Sequence, residues 1–245
     1  MHKIIYILLL LLCTSKLFAI DQPNLRIAVP HFAPPYVMQG FNRKLSGFDI
    51  VMLTHMCTFM DRKCIFVPMS TDSLLQAVAD KRVDLAVGAL TITLERYKMV
   101  NFSIPYLLSN VSFLGKNTKN KNLLSSYSKQ KIGVTSGSGF ANDLIQMPSM
   151  PKKIVSFKHS SEMIEALNTG KIDLALMDSA TTTYWQNHSS SKFTAIGKPF
   201  LLGFGLGIAV NMDSVDLVKS INQAILNYES TPEFRQLNLI YFDNN

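Results

Sequence analysis

The 245-residue chain carries 24 Lys and Arg against 17 Asp and Glu, with 47% hydrophobic residues and three Cys. So much apolar material excludes an intrinsically disordered chain, and so few cysteines exclude a small disulfide scaffold. The length leaves room for two lobes.

Residues 1–19 read as a secretory signal peptide: a cationic start at His2 and Lys3, an apolar run over 4–13, and Leu17-Phe18-Ala19 offering a small residue at a cleavage point. The run is short for a bilayer span and no later segment approaches eighteen unbroken apolar residues, so a soluble exported protein is expected. Cys13 follows leucines rather than a small residue, which argues against a lipid tether. Without Lys3 and Lys16 the formal net charge falls from +7 to +5. The cations are dispersed, and the densest group, over 116–121, is broken by Asn and Thr, so a nucleic-acid partner is not expected.

In chain order, a strand is predicted over 25–29, a helix over 47–60 from apolar residues at helical spacing, and a strand over 64–67. Cys57 and Cys64 fall at the end of that helix and the start of that strand. Export to an oxidising compartment favours a disulfide between them. The competing reading is a metal site with His55, which has only three local ligands and no CxxC or HxxxH spacing.

A self-similarity organises the middle of the chain. Leu74-Leu75-Gln76-Ala77-Val78 leading to Val83-Asp84-Leu85-Ala86-Val87 recurs 89 residues on as Met163-Ile164-Glu165-Ala166-Leu167 leading to Ile172-Asp173-Leu174-Ala175-Leu176. Each copy reads as a helix, a tight turn and a strand covered on both faces, and two similar α/β lobes are expected from it. Between the copies lie a polar stretch over 117–128 and strands over 131–134 and 154–157. After the second copy come a loop over 187–191, a strand over 204–210, a helix capped by Asp213, and a last helix opened by Thr231-Pro232-Glu233.

Ligands collect beyond the carboxyl ends of strands in open α/β sheets. Beyond the first repeated strand lie Gly88-Ala89-Leu90-Thr91-Ile92-Thr93-Leu94-Glu95-Arg96, and beyond the second Met177-Asp178-Ser179. A guanidinium suits bidentate capture of a carboxylate and an Asp suits an ammonium. Facing lobes would thereby hold a zwitterion, of which an α-amino acid is the simplest. Thr135-Ser136-Gly137-Ser138-Gly139, between a strand and a helix start, offers further N–H groups for an anion.

With these residues in view, the sequence resembles the periplasmic amino-acid-binding proteins of ABC transporters, family 3, over nearly its whole mature length. The pieces that carry the resemblance are Ala33-Pro34-Pro35-Tyr36, Gly47-Phe48-Asp49-Ile50, the run from Thr91 to Arg96, Gly137-Ser138-Gly139, Ile172-Asp173 and Asp178; the spacing of Cys57 and Cys64 is similar to the single disulfide of the histidine-binding and lysine/arginine/ornithine-binding members. The resemblance implies a type II periplasmic-binding-protein-like α/β fold, each lobe a mixed sheet flanked by helices, joined by a two-segment hinge. On this sequence, lobe 1 is expected over 20–113 and 204–245 and lobe 2 over 114–203, with crossings near 113–116 and 198–204. It further implies that Arg96 grips the ligand carboxylate with help from Thr91 and Ser138, that Asp178 takes the ammonium, and that aromatics near Phe32 and Phe48 flank the side chain. Ala89, Gly139, Tyr36 and Thr71 complete the candidate ligand-binding set.

Departures bear on specificity: Ala89 stands where histidine-type members have a serine, and Val29-Pro30-His31 supplies no acid for a basic side chain. Arginine or another basic or polar amino acid is the expected ligand, an ABC permease the partner, the periplasm the location and a monomer the expected state. No cofactor or metal is expected. Catalytic patterns are absent: there is no HExxH, Walker A or CxxC, and Gly133-Val134-Thr135-Ser136-Gly137 has Thr where a nucleophile elbow needs its nucleophile. The rival readings are a same-fold enzyme such as a cyclohexadienyl or arogenate dehydratase, and a sensing domain acting with a membrane receptor.

Overall fold

The computed structural model describes residues 24–117, 129–147, 153–190 and 192–243. The expected signal peptide and nearly all of the polar stretch over 117–128 lie outside them. In chain order the elements are β1 (Leu25–Pro30), a hairpin of β2 (Met38–Gln39) and β3 (Leu45–Ser46), α1 (Phe48–Phe59), β4 (Cys64–Met69), α2 (Leu74–Ala79), β5 (Leu85–Ala86) and β6 (Asn101–Phe102). Next come β7 (Asn110–Lys116), β8 (Lys131–Thr135), α3 (Phe140–Gln146), β9 (Lys153–Phe157), α4 (Ser160–Thr169), β10 (Leu174–Asp178), α5 (Ser179–His188) and β11 (Phe193–Leu201). The chain closes with β12 (Ala209–Val210), α6 (Val215–Glu229) and α7 (Pro232–Asn238).

Apart from the β2–β3 hairpin, these strands form two five-stranded sheets, ordered β4-β1-β5-β12-β6 and β11-β7-β10-β8-β9, one per lobe. The internal repeat is visible in their pairing. β5 lies parallel to β1, with Ile27 opposite Leu85, and β10 lies parallel to β8, with Ile132 opposite Leu174. Beyond β5 the neighbour is antiparallel β12, and beyond β10 it is antiparallel β7. β1 is buried except at Arg26, and β10 is buried throughout, because helices cover both faces.

The chain leaves the first sheet at Phe102 and enters the second at Asn110, then leaves the second at Leu201 and re-enters the first at Ala209. That corrects the expected first crossing at 113–116: those residues lie within β7, and Val111, Phe113 and Leu114 are core side chains of the second lobe. The second crossing likewise begins only after Leu201, because residues expected to start a hinge extend the edge strand β11 against β7. Only Ala209–Val210 of the strand expected over 204–210 forms, the residues before it being taken up by the crossing. The two crossing segments pair with each other, Tyr106 N–H donating to Leu206 O and Leu206 N–H to Leu107 O. Two smaller corrections concern helix ends. α5 runs on through His188 where a loop was expected, and Ser214 rather than Asp213 precedes α6. Thr231 does cap α7, its hydroxyl accepting Phe234 N–H with Pro232 in the first turn.

In the first lobe α1 packs against α6 and α7 over a core that includes Ile27, Leu53, Met56, Leu85, Ile221 and Ile225. Gly47, φ +121°, opens α1 because its backbone passes against the 33–37 loop; a Cβ there would sit 2.3 Å from Tyr36 O. Cys57 and Cys64 are joined as a disulfide, Cα to Cα 6.0 Å, tying the end of α1 to the start of β4. His55 stacks on Tyr228 with centroids 4.8 Å apart. Replacing both Cys57 and Cys64 by Ser should lower unfolding stability by about 2–3 kcal/mol through loss of a short-loop cross-link. Denaturant titration should show that loss for the double variant and reproduce it for reduced wild-type protein.

Candidate functional site

Arg96 stands in a single helical turn eleven residues after Leu85, and Asp178 ends β10, so each charge lies just beyond a repeated strand, on opposite lobes. Both are 7% exposed. Arg96 Nη1 donates to Thr91 O at 2.5 Å within its own lobe, and Nη2 donates to Gly137 O at 2.5 Å across to the other. Burial brings the guanidinium down from its ordinary value to about 10, partly offset by the charges of Asp143 and Glu95, so it stays cationic at neutral pH. Asp178 Oδ1 accepts the Tyr36 hydroxyl at 2.6 Å, again across the lobes, and Ala180 N–H at 2.9 Å as the cap of α5. Burial raises the Asp178 carboxyl from 3.8 to about 6 against the pull of those donors.

Other contacts close the same boundary. Ser160 Oγ donates to Phe32 O at 3.0 Å and Asn142 Nδ2 to Glu95 Oε2 at 2.9 Å. Gly137, φ +79°, lies so near the turn at Thr71 and Asp72 that a Cβ would meet Asp72 Cα at 2.4 Å. The Phe32 ring sits 6.1 Å from Trp185 and 6.4 Å from Tyr184, and His31 lies 6.4 Å from His159, in each case centroid to centroid.

The described cavities divide the candidate set. One, of about 530 Å³, is lined by Arg96, Ser138, Gly139, Asp143 and Phe204 among others. A second, of about 390 Å³, is lined by Tyr36, Asp178, Leu107, Asn110 and Phe242 among others. Arg96 and Asp178 therefore do not share either of these cavities. Thr91 is buried, with its hydroxyl 3.0 Å from that of Ser109 in the first crossing, and Ser138 Oγ accepts Phe140 N–H at the start of α3. Ala89 has φ +52° and donates its N–H to Asp49 Oδ2 at 3.2 Å. Phe48 requires correction: it is 0% exposed and packs among Tyr106, Phe234, Tyr241 and Phe242, so it belongs to the core and flanks no cleft.

Several residues outside the expected set also stand at or near this boundary. Tyr184 and Trp185 extend from α5 toward Phe32, and Asn142 reaches Glu95; nothing in their local spacing singles them out. Asp49 had a usable signal, since an acid in the first turn of an otherwise apolar helix start must be either solvated or bonded. It is 0% exposed. Its Oδ2 accepts Ala89 N–H and the Tyr106 hydroxyl, and burial lifts it from 3.8 to about 7.

Two α/β lobes, doubly crossed, with one buried charge at each repeated strand end, frame the comparison with known proteins. The sequence profile of the bacterial extracellular solute-binding proteins, family 3, matches residues 25–244. The chain belongs to that family. It is 26% identical over 245 residues to the ABC transporter arginine-binding protein 1 of Escherichia coli (strain K12), covering 99% of each chain. The crystal structure of an arginine 3rd transport system periplasmic binding protein from Legionella pneumophila superposes with a TM-score of 0.84 at 28% identity, covering 90% of this chain and 100% of that one. The ancestral amino-acid-binding protein described as a precursor of cyclohexadienyl dehydratase shares the fold, with a TM-score of 0.77 at 22% identity over 89% of this chain and 95% of that one.

The raised carboxyls of this family 3 protein set the sign of their own contribution to its pH dependence. Between 3.8 and about 7 for Asp49, and between 3.8 and about 6 for Asp178, the folded chain holds a proton that the unfolded chain has released. Stability contributed by these groups is thus complete below pH 3.8 and is lost as pH rises through the folded values. Denaturant titrations of ligand-free protein should show Asp49→Asn removing a decline of a few kcal/mol across that window, measured against wild type.

Proposed function

We propose that this chain captures an L-amino acid, arginine or another basic or polar one, by closing its lobes, and delivers it in the periplasm to the permease of an ABC transporter. The observation that carries the reading is the pair Arg96 and Asp178: opposite charges, little exposed, one from each lobe, each hydrogen-bonded across the boundary. A zwitterion supplies the complementary charge for both. The family membership and the arginine-binding relatives support the ligand class and the transport role.

In this mechanism the α-carboxylate pairs with Arg96, which has five N–H donors, of which the Thr91 and Gly137 carbonyls engage two. The ammonium pairs with Asp178, which at about 6 is mostly ionised at neutral pH. Phe32, with Tyr184 and Trp185 opposite, borders the side-chain end, where aromatic faces suit a guanidinium. Residues 103–109 and 202–208 flex as the lobes part, and the closed form is what the permease recognises. The crossings, rather than strand β7, mark the lobe boundary in this reading.

A same-fold dehydratase is the rival. Asp49 has the raised pKa that a general acid needs, but it has no exposed surface through which to meet a substrate. Incubation with prephenate and arogenate should therefore give no turnover.

A thermal-shift panel of the twenty common amino acids with ornithine and citrulline should identify ligands by a raised melting temperature, arginine among them; a flat response to every one would refute the reading. Against the ligand so found, Arg96→Ala should cost about 2–5 kcal/mol of binding by calorimetry, because the partner carboxylate stays buried and unpaired. Asp178→Asn should weaken amino acids more than their deaminated analogues. Affinity for the ammonium-bearing forms should fall as pH drops through about 6, where Asp178 takes up its proton.

A further inference from the structure

Asp49 is held at a junction that the ligand contacts alone do not explain. One oxygen, Oδ2, accepts from Ala89 N–H and from the Tyr106 hydroxyl, each at 3.2 Å, while Oδ1 is buried and has no partner among the described residues. The two donors belong to different machinery. Ala89 sits in the turn between β5 and Thr91, where Gly88 has φ +133° and Ala89 φ +52°. A left-handed conformation is unfavourable for Ala, so the turn needs an outside bond to keep its N–H in that direction. Two residues on, the Thr91 carbonyl receives the Arg96 guanidinium. Tyr106 lies in the first crossing, and its N–H donates to Leu206 O of the second at 2.9 Å.

We propose that Asp49 is a positioning residue of the amino-acid site, fixing the Gly88-Ala89 turn that leads to Thr91 and Arg96 and tying that turn to Tyr106 in the hinge. It touches no ligand. It acts by holding the backbone from which Arg96 is aimed, and because the same oxygen bonds the hinge, a shift of the turn on ligand capture is passed to the segment that must bend. The inference rests on the amino-acid reading of the site. The titratable groups that face Asp49 are Tyr106 from the crossing, Tyr36 from the 33–37 loop and Asp178 from the other lobe. Burial together with the Asp178 charge favours the neutral carboxyl, against the pull of the Ala89, Tyr106 and Gly88 donors.

The test compares wild type, Asp49→Ala, Asp49→Asn and Tyr106→Phe by amide hydrogen exchange without ligand and by calorimetry with L-arginine. Asp49→Ala should speed exchange at residues 88–91 while leaving residues 132–134 of the other lobe unchanged, and should weaken L-arginine roughly 10-fold or more. Asp49→Asn keeps a carbonyl oxygen for both donors and should restore wild-type exchange and an affinity within about 3-fold. Tyr106→Phe, which serves if Asp49→Ala does not fold, should leave exchange at 88–91 near wild type and cost about 2- to 10-fold in affinity. Unchanged exchange and affinity in Asp49→Ala, or an Asn variant as impaired as the Ala variant, would overturn the proposal. Wild-type protein that binds no amino acid would instead overturn the ligand reading, and the exchange result would then decide by itself whether Asp49 holds the turn.

Discussion

A charge taken out of water must be paired, hydrogen-bonded or neutralised, and three side chains at the meeting of the lobes are in that position: Arg96, Asp178 and Asp49. Each meets the demand differently. Arg96 borrows a carbonyl from Gly137 on the other lobe, Asp178 borrows the hydroxyl of Tyr36, and Asp49 takes one donor from its own lobe and one from the first crossing and leans toward protonation. Two of the three solutions exist only while the lobes are together. In the closure proposed above, charge compensation would accompany closure, and a better counter-charge than a backbone carbonyl or a phenol would favour the closed form.

The fold was largely legible because its parallel strands announce themselves. The segments around Ile27, Ile132 and Leu174 are short apolar runs buried on both faces, and the offset repeat identified β5 and β10 as equivalent before either had a place in a sheet. The antiparallel strands were harder. β7 reads as a linker because Ser112 and Gly115 interrupt its apolar residues, and only the sheet shows that Phe113 and Leu114 face opposite cores. β11 carries Gly197 and Pro199 at an irregularity in its pairing with β7, which is the composition of a hinge but the geometry of a bulged edge strand.

At the site, residue types were legible and directions were not. Arg96 follows β5 and Asp178 ends β10, on opposite lobes, but they line separate cavities. Phe48 shows the limit of such reasoning: it lies one residue past Gly47 in a motif that borders the site, yet helix geometry turns its ring inward, and its neighbours come from Tyr106 and from Tyr241 and Phe242 near the far end of the chain. No local pattern reports a partner so distant in sequence. The same holds for Tyr36 and Asp178, whose bond spans 142 residues and two lobes.

The repeat also explains why the two strand ends do opposite work on one plan. At equivalent positions after β5 and β10 stand Ala89 and Asp178. Ala89 presents an N–H to a buried acid, and Asp178 is itself the buried acid, receiving an N–H from the helix it caps. The backbone N–H at 89 thus places a donor on one lobe and the side-chain carboxylate at 178 an acceptor on the other. β5 is continued by a turn with Gly88 and Ala89 at positive φ, held by Asp49, and β10 by the helix that Asp178 caps. In the closure proposed above, the packed cores around Leu85 and Leu174 would move as units rather than deform, so the rotation would fall on the crossings between them.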